Sequence, residues 1–455
     1  MRTLTCFKSY DIRGKLGEEL NEDIAYDIAA AISDIRSPKI VVLGADSRPS
    51  SASLKAALTA GFVDHGVNVQ DLGMCGTEEV YFATTHLEAD FGIEVTASHN
   101  PLDYNGMKIV GAGSRPLDPL TEMDALRQRA ETGGFKKAAQ AGSITQVDPR
   151  EDYAAKVISF VDVAKLKPLK ILVNAGNGTA GPTFDIIKSR LLAVAAPLEF
   201  IEMDHTPDPR FPYGIPNPLL PENQPRTAAA VQKHGADFGV AWDGDFDRCF
   251  FFDKNGGFID GYYIVGLLAR QALAAHPGAT IIHDPRLVWD TRELVEQAGG
   301  HALQSRVGHS FIKALMRESG AVYGGEMSAH HYFADFMHCD SGMIPWLLIA
   351  ELVSTSGKGL HELVADRQLR FPTSGEQNFT IKDPAGALER LEAELGAEAI
   401  EVSHADGLSL DFGEWRLNVR PSGTEPLVRL NIESRGDVTL VERQLARVQA
   451  LLEAM

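Results

Sequence analysis

Short apolar runs rich in β-branched residues recur along the chain, and each ends in a polar turn. Ile40-Val41-Val42-Leu43, Ile171-Leu172-Val173 and Thr280-Ile281-Ile282 are apolar throughout, as strands buried on both faces are. Helical spacing lies between them. Leu54, Ala57, Leu58, Gly61 and Phe62 fall at i, i+3, i+4, i+7 and i+8 and make one buried face, after a Ser-rich start suited to N-capping. Alternating strand and helix signals predict α/β domains. In such sheets ligands bind at the carboxyl ends of the strands.

One tetrapeptide recurs in this pattern. Ala89-Asp90-Phe91-Gly92 and Ala236-Asp237-Phe238-Gly239 are identical, and Ala321-Val322-Tyr323-Gly324 is a weaker copy. A polar segment follows each: Thr96-Ala97-Ser98-His99-Asn100-Pro101, then Asp243-Gly244-Asp245-Phe246-Asp247-Arg248, then Glu326-Met327-Ser328-Ala329-His330. A chance match would not also keep its place in the strand–loop pattern, so the repeat predicts three homologous domains, each donating one loop. After Phe371-Pro372 the texture changes. A helix is predicted over Ala385–Leu395 and strands over Glu414–Arg420 and Leu427–Ile432. Leu440, Val441, Leu445, Val448, Leu451 and Leu452 mark a closing amphipathic helix. The expected fold is therefore α/β, with three homologous α/β domains of mixed sheets and a smaller C-terminal α+β domain. The expected boundaries are 1–149, 150–253, 254–370 and 371–455.

Composition narrows the function. The 455 residues are 44% hydrophobic and 23% charged, as in a soluble globular chain. Lys plus Arg total 43 against 62 Asp plus Glu, a net charge of −19, which argues against nucleic-acid or anionic-membrane partners. A small anionic ligand stays possible in a local cationic pocket. Cys6, Cys75, Cys249 and Cys339 lack metal-ligand spacing and fit a reducing compartment. Met1–Gly14 has no apolar core for a signal peptide, and Met343–Ala350 is too short to span a bilayer. A cytoplasmic location is expected.

Three segments carry candidate chemistry. Asp243, Asp245 and Asp247 repel one another unless a cation neutralises them, and an all-oxygen set suits Mg²⁺ or Ca²⁺. An EF-hand fails, because Arg248 and Lys254 stand where Gly and Glu are needed. A phosphatase-type Asp-x-Asp loop fits the third Asp and Arg248 poorly, and a solvated turn is the plain alternative. Ser98 lies in a loop where a hydroxyl beside a metal could carry a phosphoryl group, although an ordinary Ser turn has the same sequence. Lys108 follows the Asn105-Gly106 turn and either offsets phosphate charge or is solvated. Arg420-Pro421-Ser422-Gly423-Thr424-Glu425-Pro426 offers a guanidinium, hydroxyls and turn amides for an anion, or is a turn without a ligand. Arg13 lies near a turn, His309 follows a possible strand, and Glu326 and Ser328 have the groups to bond sugar hydroxyls. His330 and His331 point to opposite faces if they lie on a strand, which disfavours a shared ion.

These motifs, in this order, resemble the α-D-phosphohexomutase superfamily over essentially the whole chain, and within it the bacterial phosphomannomutase group. The resemblance implies four domains around a central cleft and interconversion of mannose 6-phosphate and mannose 1-phosphate for GDP-mannose and surface-polysaccharide synthesis. The alternatives are a broader phosphohexomutase with phosphoglucomutase activity, or a Mg²⁺-dependent sugar phosphatase. Ser98 would carry the phosphoryl group. One Mg²⁺ per chain would be held by Asp243, Asp245, Asp247 and a phosphoserine oxygen, with a hexose 1,6-bisphosphate as activator and intermediate. Arg13, Lys108 and Arg248 would surround the transferring group, with Lys108 or His309 helping proton transfer. Glu326 and Ser328 would read the sugar, and Arg420, Ser422, Thr424 and Arg429 would hold the idle phosphate. Tyr10, Arg286, His330 and Gly423 complete the implied substrate set. The last domain is expected to adjust about a hinge near residue 370. Hexose phosphates are the expected partners, with no nucleic acid or membrane, for a monomer or weak homodimer. Ala329, Thr77-Glu78 and Arg286 depart from the commoner Gly, Thr-Pro and Lys, which bears on sugar preference rather than on reaction class.

Overall fold

The computed structural model describes residues 3–8, 10–421 and 427–453. The chain packs as two compact units. One comprises residues 1–258 and 330–357, the other residues 259–329 and 358–455.

The first unit holds two mixed sheets. In the first sheet the strands run Ile12–Lys15, Tyr104–Gly111, Phe91–Val95, Ile40–Ala45, Asn68–Met74 and Ile144–Gln146, with Arg115–Pro116 beside Tyr104–Gly111. Its apolar runs are buried because helices cover them: Val41, Leu43, Ile93 and Val95 share one core with Leu54, Leu58 and Phe62 of the Ser51–Asp64 helix. The helix bears the predicted face, but its N-terminal serine makes no cap. Ser50 Oγ instead accepts from Asn105 Nδ2 at 2.8 Å, so a tertiary donor outcompetes the helix's own amides. The four longer strands of the second sheet run Cys249–Asp253, Phe238–Trp242, Leu169–Asn174 and Leu198–Met203. The Met343–Ser356 helix is apolar almost all round and correspondingly buried.

The second unit begins with the parallel strands His301–Gln304, Thr280–His283 and Tyr323–Gly325. It ends in an antiparallel sheet ordered Gln377–Thr380, Leu427–Ser434, Trp415–Pro421, Leu408–Asp411 and Glu401–Ser403. Leu417, Val419, Leu430 and Ile432 face the helices Pro384–Leu395 and Val438–Glu453 across one core.

The repeat is visible in the pairing. Each tetrapeptide opens a strand that lies parallel to the apolar run upstream: Phe91 opposite Val41, Phe238 opposite Ile171, Tyr323 opposite Ile281. The polar segment thus leaves the carboxyl end of an equivalent strand three times. Among the described residues no helix is long and apolar enough to cross a membrane.

Candidate active site

The Phe91–Val95 strand delivers the chain into the Ser98 loop. Ser98 is buried and sits at φ +50, a left-handed conformation that costs a non-glycine residue on the order of 1 kcal/mol. Several bonds hold it there. Thr96 Oγ1 accepts from the Ser98 amide at 2.8 Å and donates to Asp46 Oδ2 at 2.7 Å. The Arg48 guanidinium donates to the carbonyls of Ser98 (2.9 Å), Pro101 (2.8 Å), Tyr104 (3.3 Å) and Asn100. The Arg13 guanidinium donates to Asn100 Oδ1 at 2.6 Å and to Asp11 at 2.8 Å, and Tyr10 stands half-buried in the preceding turn. Loop and guanidiniums together present Ser98 Oγ to Asp243 Oδ2 at 2.6 Å, with His99 Nδ1 3.1 Å and Arg248 Nη2 3.3 Å away.

Asp243, Asp245 and Asp247 leave the Phe238–Trp242 strand and are all buried. Asp245 and Asp247 each have one oxygen engaged by the protein, whereas Asp243 has both, its Oδ1 accepting from the Arg248 amide at 3.3 Å. Asp243 Oδ2 takes Ser98 and Arg248 Nε (2.9 Å) and Nη2 (2.6 Å), whereas Lys108 Nζ bonds Asp245 Oδ2 at 2.7 Å and Asp247 Oδ2. Among the described residues Asp245 Oδ1 and Asp247 Oδ1 are buried without a hydrogen bond, and one oxygen from each of the three aspartates lies within 4.8 Å of the others. Orphaned carboxylate oxygens converging in a dry site fit a hard divalent cation such as Mg²⁺. Electrostatics agree. Burial disfavours the charge on Lys108, but the three aspartates outweigh it and hold the ammonium above its ordinary pKa. Burial also opposes ionisation of Asp245, yet Lys108 keeps that carboxyl below the usual range, while burial and the Asp245 charge push Asp247 up. His330 Nδ1 lies 2.8 Å from Asp340 and 4.0 Å from Asp247.

A second polar set belongs to the second unit. Arg286 follows the Thr280–His283 strand. Its Nη2 donates to Asp284 Oδ2 at 2.7 Å and Ser328 Oγ at 3.1 Å, and lies 3.5 Å from Glu326. Asp284 also accepts from the Met327 amide at 2.9 Å, which ties the Glu326–Ser328 loop to Arg286. Glu326 Oε1 accepts from the Gly308 amide at 3.2 Å, directly before His309 at the head of the His309–Ser319 helix. Glu376 lies 3.6 Å from Arg286 and 3.4 Å from Arg429, and Arg429 pairs across strands with Arg420. Burial and the neighbouring Arg286 lower the pKa of Arg420. Among the described residues the Nε groups of Arg286, Arg420 and Arg429 are buried without an acceptor. Ser422, Gly423 and Thr424 lie outside the described residues.

The residues missing from the sequence reading are those that hold others in place. Asp46 and Arg48 fix the Ser98 loop, His99 lies against Ser98 Oγ and Arg248, and Asp284 and Glu376 organise Arg286. Asp46 and Arg48 follow a buried strand as Ser98 does, and that position was the available signal. Glu376 sits in a Ser-Gly segment with no pattern to mark it.

Comparison with known proteins agrees with this geometry. Four family models match in order: Phosphoglucomutase/phosphomannomutase alpha/beta/alpha domain I over residues 5–137, domain II over 151–257, domain III over 260–371, and the C-terminal domain over 376–451. A phosphomannomutase of Salmonella montevideo is 56% identical over 456 residues, covering 100% of both chains. A phosphomannomutase of Escherichia coli K12 is 55% identical over 454 residues, covering 99% of each. The crystal structure of a phosphoglucomutase/phosphomannomutase family protein from Burkholderia thailandensis superposes with a TM-score of 0.87 at 31% identity, over 100% of this chain and 98% of that one. Three α/β domains with equivalent loops, a C-terminal sheet-and-helix domain and full-length relatives place the chain in the phosphoglucomutase/phosphomannomutase family, within the α-D-phosphohexomutase superfamily.

Proposed function

We propose that the chain interconverts mannose 6-phosphate and mannose 1-phosphate, through a phosphoserine at Ser98 and a hexose 1,6-bisphosphate. The observation that carries this reading is the Ser98 hydroxyl held 2.6 Å from Asp243 and 3.3 Å from Arg248, beside carboxylates with orphaned oxygens. A hydroxyl so placed is a phosphoryl carrier, since phosphoryl transfer needs positioning and charge neutralisation above all. The assignment of mannose rests on the full-length relatives named phosphomannomutase.

Asp243, Asp245, Asp247 and a phosphoserine oxygen would hold one Mg²⁺, which supplies neutralisation of the developing phosphoryl charge. The free hydroxyl of the sugar phosphate attacks the phosphorus on Ser98. The new sugar O–P bond forms as the Ser98 Oγ–P bond breaks, and the bisphosphate results. Arg248 faces the departing Ser98 Oγ. Lys108, kept as an ammonium by its aspartates, adds positive charge. The proton leaving the sugar hydroxyl is balanced by the one Ser98 Oγ takes up on release: His309 accepts on the sugar side, and Lys108, already an ammonium, serves as the donor. The bisphosphate then turns over and returns its other phosphoryl group to Ser98. Arg420 and Arg429, with Ser422, Gly423 and Thr424, hold the phosphate not in transfer, while Glu326, Ser328, Arg286, His330 and Tyr10 meet the sugar. A net charge of −19 and four buried cysteines support a cytoplasmic enzyme on small hexose phosphates, as a monomer or weak homodimer.

Phosphorus NMR tests the reading on one preparation given mannose 1-phosphate or glucose 1-phosphate, with Mg²⁺ and a trace of hexose 1,6-bisphosphate. Faster formation of mannose 6-phosphate without free phosphate is expected, and Ser98→Ala should abolish it. Comparable rates would widen the reading to a general phosphohexomutase. Free phosphate alone would overturn it in favour of a phosphatase.

A further inference from the structure

The first turn of the Thr77–His86 helix touches the aspartate loop from behind. Gly76, its N-cap residue, packs against the Phe246 ring so closely that an added Cβ would stand 2.1 Å from a ring carbon. Phe246 is itself buried at φ +45, between two of the three aspartates. The next residue, Thr77, is fully buried and grips Asp245 twice: its amide donates to the Asp245 carbonyl at 3.1 Å, and its Oγ1 donates to Asp245 Oδ2 at 2.7 Å. Glu78 accepts from the amides of Gly342 (2.9 Å) and Met343 (3.1 Å). Gly342 in turn lies against the Phe246 and Arg248 carbonyls, where a Cβ would come within 2.3 Å of the former. Glu79 closes the helix start on the Gly76 amide at 2.7 Å and accepts from Thr183 Oγ1 at 2.9 Å and Arg150 Nε at 3.0 Å. Three consecutive side chains therefore anchor one helical turn to four other segments, and the aspartate loop rests on that turn.

We propose that Thr77 is a positioning residue for the cation site, fixing the Asp245 carboxylate so that Oδ1 is the oxygen offered to the cation. With Thr77 and Lys108 both on Oδ2, that oxygen is committed. Oδ1 is left buried and unbonded. Without the threonine hydroxyl, Lys108 alone restrains the group, and the carboxylate is free to rotate between its two oxygens. This rests on the proposed cation site, and the test separates the two.

Mn²⁺ serves as the probe, titrated into the purified full-length chain and followed by electron paramagnetic resonance. Thr77→Val keeps shape and backbone amide but lacks the hydroxyl, and should bind Mn²⁺ about 10- to 100-fold more weakly, as outer-shell losses do. Thr77→Ser should restore binding to near wild type. In the mutase assay the Mg²⁺ concentration for half-maximal rate should rise in Thr77→Val. The KM for mannose 1-phosphate at saturating Mg²⁺ should stay put. Should Thr77→Val fail to unfold cooperatively, Thr77→Ala, which adds no bulk, carries the same titration. Wild-type Mn²⁺ affinity in the hydroxyl-less variant, or failure of serine to rescue it, overturns the proposal. A wild-type chain that binds no Mn²⁺ overturns the cation site itself.

Discussion

One guanidinium holds most of the loop on which Ser98 sits. Arg48 meets four carbonyls between Ser98 and Tyr104, and no ammonium can span that fork. Arg48→Lys keeps the charge and loses the geometry. It should cost about 2–4 kcal/mol of stability, the scale of stranding several buried polar groups, and should also slow phosphorylation of Ser98. Denaturant unfolding and the mass gain of one phosphoryl group on intact protein measure the two effects. A stability change within about 0.5 kcal/mol, the range of ordinary surface substitutions, would remove Arg48 from this role. At this scale the sequence was legible where several like residues stand together, as Asp243, Asp245 and Asp247 do. Arg48 and Asp46 were silent, because a single Arg or Asp after a strand looks the same whether it meets solvent or a loop fifty residues away.

Among elements, the Thr77–His86 helix bears on the site through its N-cap glycine. Gly76→Ala places a methyl group in the Phe246 ring, and that ring is pinned by a left-handed backbone between two aspartates. The methyl must move the aspartate loop, so lowered thermal stability and at least tenfold lower kcat are expected together. Circular dichroism melting and the mutase assay decide, and an unchanged kcat would show that the loop tolerates displacement. The Glu122–Thr132 helix makes a test away from the site. Its first residue, Glu122, accepts two bonds from Arg115 at 2.8 Å and one from the Asp118 amide at 2.8 Å, and it also pairs with Arg36. The Arg115 bonds lower its pKa from 4.5 to about 2. A carboxyl depressed in the folded state adds stability above its unfolded pKa and loses it as pH falls through the folded one. Glu122→Gln should therefore be less stable than wild type above about pH 4.5, with the gap closing toward pH 2. Urea midpoints at neutral and acid pH measure it, and a gap independent of pH would contradict the pairing. The helix bearing Leu54 and Phe62 and the closing helix bearing Leu440 and Leu452 were readable from periodicity, which is local, whereas the Thr77–His86 and Glu122–Thr132 helices were not read. The cap at Ser50 was not readable, because Asn105 claims that hydroxyl from elsewhere in the chain.

On the scale of the whole molecule, the repeated tetrapeptide announced the three α/β domains because each copy opens a strand in the same parallel register. Its polar sequels announced three loops. How the chain divides into units was beyond such reading, since residues 330–357 pack with the first unit although they follow the third repeat, and packing partners are not a local property. That division separates the chemistry. Ser98, the aspartates, Lys108 and Arg248 lie in the first unit, and Arg286, Glu326, Glu376, Arg420 and Arg429 lie in the second. Two substitutions should therefore dissociate the two functions. Asp245→Asn removes a carboxylate from the cation site and should abolish Mn²⁺ binding and phosphorylation of Ser98. Binding of mannose 1-phosphate, measured by calorimetry, should stay within a fewfold of wild type. Arg420→Ala removes a half-buried guanidinium from the proposed anion-binding set and should weaken mannose 1-phosphate by about tenfold or more, the scale of one charge-assisted bond. Its Mn²⁺ affinity should be that of wild type. Loss of Mn²⁺ binding in Arg420→Ala, or of sugar-phosphate binding in Asp245→Asn, would mean that neither set binds its ligand independently and that the two assemble only together.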